Sequence, residues 1–146
     1  MRPTVSEQLE GTARILREVV APAVEGAYPA DILLGLIATL DALARGWPDV
    51  PAFLAWDAAR ALELLDGVAP ELGDDHREAL RRVASETPDA LDVRALEAHH
   101  ERARALLADV IAAGAPPALA SALAGHARER AARYPVQAEQ RMPGQR

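Results

Sequence analysis

An all-α fold, an antiparallel up-down bundle of about five or six helices, follows from three features of the sequence. Alanine supplies 33 of the 146 residues, and it is the best helix former and a poor strand residue. Leu, Val and Ile recur at intervals of three and four along most of the chain, the period of a helix face and not of a strand. Short Pro- and Gly-containing breaks divide these stretches, and short turns between helices of similar length make antiparallel neighbours.

The first helix opens at Thr4, which with Glu7 makes a capping-box pattern behind Pro3. Val5, Leu9, Leu16, Val19, Val20 and Val24 follow on one face; Pro22 kinks or closes the helix and Gly26 stops it. The second starts near Tyr28, with Pro29 and Asp31 in its first turn and a broad Leu/Ile stripe from Ile32 to Leu43. Arg45-Gly46-Trp47-Pro48 breaks it. The third runs from about Val50 to Leu65 behind Asp49, and a short fourth covers Asp74 to Ala84. The fifth is the most regular, with Val93, Leu96, His100, Ala103, Leu107 and Val110 at bundle-seam spacing, and it ends at Gly114. Ala115-Pro116-Pro117 starts the sixth, which carries Leu119, Leu123, His126 and Arg130 on one side. One bundle domain over 1–135 is expected, with 136–146, rich in Gln, Arg, Pro and Gly, as a loose tail.

Composition removes whole classes of chemistry. With no Cys there is no disulfide, thiol nucleophile or Cys-bound metal. With no Lys, all 16 cationic side chains are Arg, and P-loop, kinase-strand and Schiff-base lysines are excluded. Ser6, Ser85 and Ser121 lack a Gly-x-Ser-x-Gly setting, and no Gly-x-Gly-x-x-Gly occurs. A net charge of −6 opposes general nucleic-acid binding, because phosphate neutralisation needs a basic surface. The Arg77/Arg81/Arg82 and Arg128/Arg130/Arg133 groups alternate with Glu78, Glu86 and Glu129 and read as solvated helix faces. No apolar run approaches the roughly 18 residues of a membrane span, and no signal-peptide core begins the chain. A cytoplasmic protein with no membrane partner and no cofactor is therefore expected.

His100 falls on the apolar stripe of the fifth helix with Glu97 one turn before it. Glu-x-x-His is half of a di-iron bundle motif, but that site needs a second half and two further Glu. Only one such motif occurs here, so no metal is expected. A pivot near Ala115 sets Arg130 about level with His100, and His126 within roughly one turn of it, at ~1.5 Å per residue. Inward-facing His and Arg need partners, and His100, His126 and Arg130, with Glu97, suit a bound carboxylate or phosphate. A solvated Arg130 at a frayed helix end is the other possibility. Trp56 points away from the Phe53/Leu54/Leu62/Leu65 stripe, and its own side carries Ala52, Ala55 and Ala59. A helix apolar nearly all round is either central or covered by a partner. Trp is enriched at interface hot spots, and Trp47 in the preceding loop is a candidate for the same surface.

Arg2-Pro3-Thr4, Glu7 to Leu9 and Leu16-Arg17-Glu18-Val19-Val20-Ala21-Pro22, followed by a leucine-rich second helix, carry a resemblance. This opening third, with Arg133-Tyr134-Pro135, resembles short bacterial helical domains found beside or fused to aminoglycoside-phosphotransferase-like kinases, often near acyl-CoA dehydrogenase genes. The second helix of that family usually carries an Asn, whereas this chain has none. The resemblance implies an accessory role beside an enzyme and transfers no catalytic residue. Two functions remain in view. One is a non-catalytic helical accessory domain that binds a protein partner, a second copy in a homo-oligomer or a neighbouring enzyme. The other is a small anionic-ligand binder, or an enzyme, using the inward-facing His/Arg cluster.

Overall fold

The computed structural model describes residues 3–136, in which every regular element is helical. Six α-helices follow one another: α1 Val5–Ile15, α2 Ala27–Gly46, α3 Val50–Asp66, α4 Asp74–Ala84, α5 Val93–Ala112 and α6 Pro117–Arg133. The all-α class holds. The expected tail falls almost wholly on 137–146, outside the described residues.

Local chemistry sets the helix ends. The Glu7 backbone N–H donates to Thr4 Oγ1 at 3.2 Å, and the Thr4 N–H donates to Glu7 Oε2 at 2.6 Å. That donated backbone bond, with the Thr4 side chain, holds the Glu7 carboxyl below its usual range. The far end differs from a single helix running to Pro22. Regular α1 stops at Ile15, widens into a π-helical stretch at Leu16–Val20, then tightens into a 3-10 turn at Ala21–Ala23. Pro22 offers no N–H and its ring crowds the carbonyl four residues back, so the regular ladder cannot continue through it. Gly26 then turns the chain at φ 91°, a left-handed conformation in which a Cβ would be strained. Asp92 caps α5 by accepting the backbone N–H groups of Arg94 and Ala95.

The described residues group into two compact units, 3–50 with 135–136, and 51–134. The division falls just after the Arg45-Gly46-Trp47-Pro48 break, which by sequence reads as one turn among several within a single domain. In the first unit α1 lies against α2, enclosing Ala13, Leu33 and Ile37, and Arg17 pairs with Asp41 at 2.7 Å. Gly46 packs so closely on the Pro135 backbone that a Cβ there would run into the carbonyl. The core of the second unit draws on α3 to α6, with Leu65, Leu107, Val110 and Leu119 almost wholly enclosed. Ala61 and Ala103, both fully buried, are the small residues that let neighbouring helices approach closely.

One helical stretch, Ala27–Asp66, contains a window long and apolar enough to cross a membrane by length and composition. This corrects the expectation that no run comes near that length. Asp31 and Asp41 interrupt the apolar residues of α2 without raising the charge of such a window above what a span tolerates.

Candidate functional site

Asp57 is the one fully buried carboxylate among the described residues. It occupies the core-facing side of α3, one turn after Phe53 and one turn before Ala61. Two i,i+4 pairs reach it from elsewhere in the unit: His100 and Arg104 on α5, and His126 and Arg130 on α6. The His100 Nε2–H donates to Asp57 Oδ2 at 2.7 Å, and the Arg130 Nε–H donates to the same oxygen at 2.9 Å. His126 Nε2 lies 3.3 Å from Asp57 Oδ1 and 3.4 Å from Arg104 Nη1.

Opposing effects fix the protonation of this network. Burial pushes the Asp57 carboxyl up, but the bonds from His100 and Arg130 and the fields of Arg130 and Arg104 outweigh it, leaving a carboxylate below its usual range. His126 moves down. Burial disfavours its cation, Asp57 opposes that, and Arg104, Arg130 and Arg60 add to it, so the imidazole is neutral near pH 7. Asp57 Oδ1 and His126 Nδ1 are buried with no hydrogen-bond partner among the described residues, so the network is incompletely saturated.

An aromatic layer adjoins the network. The Trp56 ring lies 5.9 Å from His126 and 6.0 Å from Phe53, and Tyr134 meets Phe53 edge-on at 5.4 Å. Arg133 stacks 4.5 Å over Trp56, and Arg130 sits 5.8 Å over Phe53. A second polar cluster lies apart: Glu86 accepts from Arg102 and pairs with His99 Nδ1 at 3.0 Å. The Arg102 bond first, and then His99, hold its carboxyl low.

The residues singled out from sequence fall as follows. His100, His126 and Arg130 meet at one point. Glu97, although on the same helix as His100, is exposed and outside the network, because α5 turns Leu96, His99, Ala103 and Leu107 inward. Trp56 is half-buried and held by α6, whereas Ala52 and Ala59, one turn to either side of it on α3, are exposed. Trp47 is half-buried in the first unit. Asp57 and Arg104 were not anticipated. The available signals were a lone Asp at the core period of α3 and an Arg one turn after His100. The carboxylate that the His/Arg set suits is therefore Asp57, supplied by the chain itself. Among the described residues no three His, Asp or Glu side chains are grouped to hold a metal ion.

The first unit presents a different chemistry. Val5, Ile15, Val19 and Val20, with Tyr28, Ile32, Leu34 and Leu36, are all more than a third exposed, while the large apolar side chains that the same pair of helices buries are Leu33 and Ile37, beside the small Ala13, Ala42 and Ala44. Ile15–Val19 and Tyr28–Ile32–Leu36 form i,i+4 ridges on α1 and its extension and on α2. Comparison with family models, curated proteins and solved structures finds no match for this chain.

Proposed function

We propose that this chain is a non-catalytic helical interaction module that pairs with a second copy of itself through the exposed faces of α1 and α2. The observation that carries this is the imbalance on that helix pair and its extension, where eight large apolar residues are exposed and only two large ones, Leu33 and Ile37, are buried. Two helices with so small a core are marginal alone, and helices apolar on several sides are normally covered. Taken as antiparallel neighbours, α1 and α2 of two copies would complete a four-helix bundle, the arrangement that such hairpins most simply form.

Catalysis draws less support. Asp57 already fills the position that an anionic ligand would take, and no Ser, Thr or Tyr hydroxyl hydrogen-bonds to His100 or His126 among the described residues. An accessory role beside an enzyme rests on the sequence resemblance, and a cytoplasmic setting rests on composition. The test is sedimentation of the wild type against an Ile32→Glu/Leu36→Glu variant. A concentration-dependent dimer that the double variant abolishes supports self-pairing. A wild type that is monomeric and floats with phospholipid vesicles would replace it with membrane attachment.

A further inference from the structure

α3 and α4 flank a half-open cleft of ≈ 430 Å³ within the second unit, distinct from the Asp57 network. Its apolar surface includes Leu62 and Leu80. Four charged residues line it too, and they are divided by sign: Glu63 and Asp66 come from α3, Arg77 and Arg81 from α4. Two are already engaged, Glu63 by Arg60 at 3.0 Å and Arg77 by Asp74. The side chains of Asp66 and Arg81 have no ion pair among the described residues and stand one on each wall.

The volume lies within the range of small-molecule sites, about 300–1,000 Å³, and such sites combine an apolar lining with a few placed polar groups. An all-apolar ligand would leave both charged walls unused. A simple carboxylate would be met by Arg81 and opposed by Asp66, and a simple amine the reverse. A ligand bearing both charges around an apolar body satisfies both walls.

The geometry points to a binding site for a short apolar zwitterion of amino-acid or dipeptide size. Its ammonium group faces Asp66 and Glu63, its carboxylate faces Arg81 and Arg77, and its aliphatic side chains rest on Leu62 and Leu80. The site is independent of self-pairing, because every residue in it belongs to the second unit.

The test is a nuclear magnetic resonance titration of the full chain with the dipeptide Leu-Leu, its N-acetylated form and its C-amidated form, read on the amides of α3 and α4. Leu-Leu is expected to shift amides on both walls, and blocking either end weakens binding about threefold, the effect of an exposed charge pair. In Asp66→Asn, acetylation of the peptide no longer matters but amidation does; in Arg81→Gln the pattern reverses. Both side chains are exposed, so the fold is retained, as circular dichroism would verify. Absence of shifts on α3 and α4, or equal binding of the free and doubly blocked peptides, overturns the assignment.

Discussion

Replacing Asp57 with alanine removes the oxygen that His100 and Arg130 share and the anion that Arg104 and His126 face. A hydrogen bond to a charged group contributes about 1.5–3 kcal/mol, and deleting one member of a buried pair leaves the rest uncompensated, at about 3–5 kcal/mol. Arg130 is 36% exposed and can re-solvate, so its share is discounted. His100 at 14% and His126 at 2% cannot do so as readily. The net expectation is about 3 kcal/mol, at the lower end of the buried-pair range. Urea unfolding measures it directly: with a slope of ~2 kcal/mol/M, the midpoint falls by about 1.5 M. Because the variant leaves a His/Arg set without its carboxylate, added formate should restore part of the loss by binding the folded state, and chloride should not. A loss below about 1 kcal/mol, the ordinary size of a point substitution, would refute the structural role given to Asp57. Equal rescue by chloride would reduce the formate effect to ionic strength.

Three further outcomes are expected. His126 titrates lower in the folded chain than the ~6.5 of an unfolded one, so the stability tied to its neutral form is complete above about pH 6.5 and declines as pH falls towards the folded value. Asp57, held low, adds a separate loss that begins only below about pH 4; urea midpoints across this range should show both steps, and His126→Gln should lack the upper one. Gly46→Ala, which drives a Cβ into the Pro135 carbonyl, should cost about 2 kcal/mol by chemical unfolding, whereas Gly125→Ala, with open space around its Cβ, should gain a few tenths to about 1 kcal/mol. Asp92→Ala uncaps α5 and should cost about 1 kcal/mol, a fall of about 2–4 °C in Tm.

Local signals made the helices legible. The Thr4/Glu7 cap, the Pro22 break and the glycines at 26 and 114 all act within a few residues, so sequence spacing reveals them. The level at which His100 meets His126 and Arg130 was legible for a related reason, although spacing alone does not show whether Arg130 turns inward. A short turn between two helices fixes the register of one against the other by counting. Asp57 was not legible because its partners lie 43 and 73 residues away, and no local rule links an Asp on α3 to a histidine on α5. Its placement on the core stripe of α3 was visible; that a carboxylate would be tolerated there depended on arginines contributed by other helices. The α3/α4 cleft and the outward-facing residues of α2 were hidden for the same reason. An apolar stripe shows which face of a helix avoids water but not whether this chain supplies its cover.

The most direct measurement is the mass of the purified chain in solution by light scattering behind a sizing column. Self-pairing through α1 and α2 predicts twice the 15.6 kDa chain mass, returning to one chain on dilution and in the Ile32→Glu/Leu36→Glu variant. A wild type that stays at one chain mass at every concentration, with the apolar ridges of α1 and α2 open to solvent, would contradict it.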